Sequence, residues 1–123
     1  MNPNIVGVTS IYGKTVVANL TSTSATSVLS NAASSNKVLK VNTLIVSNVD
    51  GATAYPITVN LYSAAALGGT ATEIAFTITV PADSSVVIID KGWPIYLEED
   101  KSIGAIAGTA NKLKVVCSYE EIA

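Results

Sequence analysis

Short bursts in which apolar and polar side chains alternate run the length of the chain, parted by Gly, Pro, Asp and Asn. This period-two rhythm, rich in Val, Ile, Thr and Tyr, marks strands with one buried and one outward face. Residues 12–20 give the first clear burst, with Val16 and Val17 on opposite parities. Residues 38–49 give the longest. Leu39, Val41, Thr43, Ile45, Ser47 and Val49 share one face, and Val38, Lys40, Asn42, Leu44 and Val46 share the other. Both faces turn apolar near its middle, as expected of a central strand. Asp50-Gly51 then supplies a turn.

The rhythm returns in Ile57, Val59 and Leu61, and again in Ile74, Phe76, Ile78 and Val80. Residues 63–72 between them read as an Ala-rich loop with a flexible tip at Leu67-Gly68-Gly69-Thr70. Val86-Val87-Ile88-Ile89 is a short apolar strand, broken by Asp90-Lys91-Gly92 before Trp93-Pro94-Ile95-Tyr96-Leu97. Residues 103–107 and 112–119 close the series. The one helix candidate, residues 64–67, is too short to nucleate. Residues 21–36 are either a polar strand around Ser27-Val28-Leu29-Ser30 or a connection. About eight antiparallel strands at this spacing predict an all-β fold, a single β-sandwich or jelly-roll-like domain. Residues 12–123 form that domain, and residues 1–11 are an N-terminal arm or a first edge strand.

Composition narrows the chemistry. The chain has 123 residues, 49% hydrophobic and 13% charged, with a net charge of −2 and no His, Arg or Gln. Without His, a Ser–His–Asp triad, a Cys–His pair and a His-based zinc site cannot be assembled within the chain. No Lys-rich cluster exists to displace counterions from phosphate, so nucleic acid is not an expected partner. No basic n-region opens the chain and no apolar run is long enough to span a bilayer, so no membrane partner is expected. No cofactor and no metal are expected, and the chain reads as non-enzymatic. Ser, Thr and Asn carry most of the polarity and are expected on outward strand faces.

Single residues keep competing readings. Cys117 shares parity with Leu113, Val115 and Tyr119, which makes it a small core hydrophobe instead of a reactive thiol. Glu98-Glu99-Asp100-Lys101 reads as a solvated turn. Acid–base work there would need a desolvated carboxyl, and the Asp-x-Asp-x-Asp-Gly calcium spacing is absent. Trp93, between Gly92 and Pro94, reads first as a rim residue plugging one end of the sandwich. Its alternatives are a sugar platform with Tyr96, in a carbohydrate-binding or adhesion domain, or a hot spot at a subunit contact. Residues 1–11 could add a strand to a neighbouring subunit. With so little charge to guard sheet edges, the chain reads as one that packs against copies of itself or a larger assembly.

Several segments carry a likeness in one order along nearly the whole chain. They are Ile11-Tyr12-Gly13-Lys14-Thr15, Ser30-Asn31-Ala32-Ala33-Ser34-Ser35, Val46-Ser47-Asn48-Val49-Asp50-Gly51, Val80-Pro81-Ala82-Asp83, Ile95-Tyr96-Leu97-Glu98-Glu99 and Cys117-Ser118-Tyr119-Glu120-Glu121-Ile122. With these the chain resembles short virion-associated proteins of tailed phages of marine cyanobacteria. It departs from them at Asp100-Lys101, where such proteins often show Gly-Asp. The resemblance implies a structural protein on the exterior of the phage particle. The leading expectation is a capsid decoration (cement) protein binding the outer shell in many copies; a neck, tail or fibre component is the alternative. Its implied partners are itself, as a homo-oligomer, and major capsid or other virion proteins. On this reading the subunit-contact candidates are Ile5, Val6, Tyr12, Trp93 and Tyr96.

Overall fold

The structure, a computed structural model, describes residues 2–123; Met1, the first residue of the expected arm, lies outside the described residues. The described residues form nine strands: β1 (Ile11–Asn19), β2 (Thr26–Asn31), β3 (Val38–Asn48), β4 (Tyr55–Ala64), β5 (Gly68–Val80), β6 (Ser85–Ile89), β7 (Ile95–Leu97), β8 (Lys101–Ala107) and β9 (Leu113–Ile122). They pair antiparallel into two sheets. One runs β1-β9-β3-β6 with β7 also on β3, and the other runs β2-β8-β4-β5. This is the jelly-roll order, with eight strand positions. The ninth segment arises because β6 and β7 share one position beside β3, parted by a turn at Asp90 through Pro94. Pro94 has no N–H to give a ladder, and the Trp93 N–H closes the turn onto the Asp90 carbonyl at 2.8 Å.

The core lies between the sheets and is made almost wholly of aliphatic side chains. Val41, Leu44 and Val46 of β3, Ile57 and Val59 of β4, Ile103 and Ala105 of β8, and Leu113, Val115 and Cys117 of β9 have no measurable exposure. The inward parity of β9 is therefore as the alternation predicts. On β3 the two apolar faces have a different cause from the one expected. The register against β9 shifts between Val41 and Thr43, leaving Asn42 as an extra residue. Such a bulge reverses which parity faces inward. Leu39 and Val41 point inward before it, and Leu44 and Val46 after it.

One open reading is decided in favour of a strand, and two local expectations are corrected. Residues 21–36 contain a strand, β2, which pairs with β8. Residues 63–72 are not a loop: β4 and β5 form a hairpin whose turn is only residues 65–67. Its tip is fastened by three backbone N–H donors, from Ala65 to Asp100 Oδ1, from Ala66 to Ser30 Oγ and from Leu67 to Ser102 Oγ, at 2.9–3.1 Å. Ala66, Leu67 and Gly69 all take left-handed backbone in the hairpin, and at Gly69, φ +71°, a Cβ would also collide with Ser63 Oγ. Asparagine is not confined to outward faces either. Asn31, Asn48 and Asn60 are buried. Asn48 Nδ2 donates to the carbonyls of Thr53 (2.9 Å) and Val80 (3.0 Å), and its Oδ1 accepts from Asp50 N (2.9 Å). Asn31 does the same at another loop, donating to Lys37 O and Leu97 O and accepting from Ser35 Oγ. Each of these two amides stands in for water at one loop carbonyl and one strand-end carbonyl.

Candidate functional site

The five contact candidates are all at the surface, and the fold spreads them instead of gathering them. Ile5 and Val6 sit in a 3-10 turn, Ile5–Gly7, ahead of β1, with Val6 95% exposed. Tyr12 lies on the side of β1 that also carries Val16 and Ala18 of the core. Tyr96, on β7, sits opposite Lys40 on the outward side of the same sheet. Tyr12 and Tyr96 therefore belong to opposite faces. Trp93 is 82% exposed and plugs nothing. The Asp90 side chain and carbonyl take the N–H groups of Gly92 and Trp93, and the indole is left in solvent.

A further surface, which single-residue reading of the sequence misses, is built on the outward face of the β1-β9-β3-β6 sheet. The register places Val17 opposite Val116, Val116 opposite Ile45, and Ile45 opposite Val87. Four β-branched side chains thus stand in one row across four strands. Val17 is 60%, Val87 55% and Val116 38% exposed, and Ile45 is half-buried. The sequence carries a signal for them. A strand with one buried face needs an apolar residue at every second position, so Val16-Val17, Leu44-Ile45, Val86-Val87 and Val115-Val116 each hold one in surplus. Pairing brings the surplus residues into line.

The neighbouring rows are polar and nearly neutral. Thr15, Ser118 and Thr43 form one, with Thr15 Oγ1 and Ser118 Oγ 3.5 Å apart. Asn19, Lys114, Ser47 and Ser85 form another, with Lys114 Nζ 3.4 Å from Asn19 Oδ1. Gly13, Glu120, Lys40 and Tyr96 form a third, with Lys40 Nζ and Glu120 4.0 Å apart. Beyond it, Val38 and Ile122 are buried although they lie outside the core cluster. Residues 2–10 cross this end of the sheet, held by Asn2 Oδ1 accepting from Glu99 N and by Thr9 and Ser10 bonded to Ala123.

Ionisable groups are used to hold loops and strand ends. The ammonium groups of Lys14 and then Lys37 grip the Glu121 carboxylate and hold its pKa below the usual value, while Glu121 raises that of Lys14. The Asp50 carboxyl is lowered by the N–H groups of Ala52 and Thr53, with Lys112 at 3.6 Å adding to this. Burial pushes the Cys117 thiol up to about 11, far from the thiolate that a nucleophile needs. Glu99 accepts from Asn36 N and Asp100 from Ala65 N, so the acidic segment braces two turns. A shallow hollow of about 170 Å³, lined by Leu61, Tyr62, Ser63, Thr70, Thr72 and Lys101, is smaller than ordinary ligand sites.

No family model and no curated protein matches the chain. Among solved structures it is similar to a Bacillus chain described as "Bacillus endospore appendages form a novel family of disulfide-linked pili". The two are 17% identical, the match covers 93% of this chain and 88% of that one, and the TM-score is 0.53. At that identity the likeness is one of fold, and it agrees with the two-sheet all-β sandwich described above.

Proposed function

We propose that this domain is a non-enzymatic structural subunit that packs among copies of itself on the outside of a larger assembly. The observation that carries the reading is large apolar side chains exposed on several separate surfaces: Val6 before β1, Trp93 in the β6–β7 turn, Phe76 on β5, and the Val17–Val87 row. A subunit with neighbours on many sides needs such surfaces, whereas a free monomer exposes large apolar areas sparingly. The ionisable groups with shifted pKa are explained by loop bracing and burial, with no cleft drawing them together.

Within this reading, the setting we favour is the phage capsid exterior, as a decoration protein present in many copies. The run of shared segments from Ile11 to Ile122 supports it. A filament subunit is the second reading, supported by the fold shared over most of both chains with the pilus protein. That protein is described as disulfide-linked; here Cys117 is the single cysteine and is sealed in the core, so a filament of this domain holds without it. Purified protein is incubated alone and with undecorated capsid shells, then sedimented and imaged. Saturation of shells with hundreds of copies supports decoration, and filaments grown from protein alone support the second reading. If neither shells nor self-assembly take up the protein, the structural reading itself fails.

A further inference from the structure

From the geometry of the β1-β9-β3-β6 sheet we infer that its outward face is a self-complementary contact for a second copy of this chain, related by a two-fold axis. The axis lies in the contact plane, parallel to the strands and between β9 and β3. It sets each residue of β9 over its lateral neighbour on β3 of the other copy, and each residue of β1 over β6 or β7. Val116 then meets Ile45 and Val17 meets Val87, so the apolar row of one copy covers that of the other. In the polar rows, Ser118 meets Thr43 and Lys114 meets Ser47. Glu120 meets Lys40 twice, once in each direction across the axis. Tyr96 of one copy lies over Gly13 of the other, where the absence of a side chain leaves room for the ring.

This arrangement leaves no like charges opposed, which is what an isologous interface requires. Four strands about 4.8 Å apart and four rows about 6.8 Å apart give a face of roughly 500 Å² per copy. A pair therefore buries roughly 1,000 Å², the lower bound for a specific contact. Aligned sheets pack about 30° from parallel, which separates the outer strands more than the central ones. The decisive pairs, Val116 with Ile45 and Glu120 with Lys40, lie on the two central strands and tolerate that rotation. A contact of this size is a concentration-dependent dimer.

The inference deepens the structural-subunit reading by naming one surface of assembly. Light scattering on the purified chain across a dilution series is expected to show a monomer–dimer equilibrium. Val116→Lys is expected to weaken it by about tenfold or more, because it places an ammonium in the apolar row. Glu120→Lys is expected to weaken it because it opposes two ammonium groups across the axis, and Lys40→Glu in the same chain is expected to restore it. Circular dichroism melts confirm that each variant folds; the charge pair tests the contact even if Val116→Lys does not. A wild-type chain that stays monomeric throughout overturns the inference, as does a dimer indifferent to both Glu120→Lys and the double exchange. A monomer that still saturates shells or grows filaments overturns this contact alone, whereas a dimer that does neither overturns the assembly reading and leaves the contact.

Discussion

Asn48 is the point at which the jelly roll is most exposed to a single atom-scale change. Its side chain ends β3 at 3% exposure and holds Thr53 O, Val80 O and Asp50 N with three hydrogen bonds of 2.9–3.0 Å. Asn48→Ala removes all three and leaves the Val80 carbonyl buried without that donor. At about 1 kcal/mol net per bond, the loss is about 3 kcal/mol. A domain of this length carries roughly 6–18 kcal/mol in total, so the variant folds but melts roughly 12 °C lower. Far-UV circular dichroism in urea and on heating is the suitable assay, because Trp93 already faces solvent and its fluorescence will scarcely report unfolding. Asn48→Asp separates the donors from the acceptor. It keeps the bond from Asp50 N but sets a carboxylate against two carbonyl oxygens. That raises the new carboxyl's pKa in the fold, so its penalty is full at neutral pH and shrinks as pH falls through that value. Measured against Asn48→Ala at each pH, Asn48→Asp should therefore gain ground on acidification. An Asn48→Ala variant within about 0.5 kcal/mol of wild type would refute the bridging account.

Other consequences are as direct. Cys117 should resist a disulfide reagent in the native protein at mildly alkaline pH and release one thiol on denaturation; rapid native reaction would contradict its burial. Glu121 has a lowered folded-state pKa, so the stabilisation it supplies is present above its ordinary value of 4.5 and fades as pH falls below that. The Tm gap between wild type and Glu121→Gln should accordingly hold at neutral pH and narrow progressively as the pH is taken below 4.5. Gly104→Ala should cost about 1–3 kcal/mol, because its Cβ would stand 2.6 Å from Leu67 Cδ2 and 3.0 Å from Tyr62 Cε2; urea titration measures it. Trp93→Ala should leave the melting temperature nearly unchanged, and a drop of more than about 5 °C would mean the ring packs after all.

Alternation made the strands legible because burying one sheet face imposes a two-residue period that few other structures share. It showed the inward parity of Cys117 for the same reason. It could not show the pairing order, since any strand can lie beside several others with the same pattern. The bulge at Asn42 escaped because the parity reversal it causes looks, in sequence, like a strand buried on both sides. Asn31 and Asn48 escaped because an amide that satisfies loop carbonyls has the same letter as one that faces water. Trp93 was drawn inward by its size, whereas the Asp90 turn decides its direction. No single residue marks the outward apolar row, which exists only once four strands are in register.

The hydrogen bonds that tie Thr9 and Ser10 to Ala123 bring the entry to β1 beside the exit from β9, at the end of their ladder where Ile11 faces Ile122. Tension applied between residues 10 and 123 would open that ladder one bond at a time, as a zip, and would not load its bonds together in shear. Strung by its ends, the domain is a mechanical fuse. Any assembly built from it to bear load has to carry force across the faces of the sandwich, between folded bodies, and leave the termini slack.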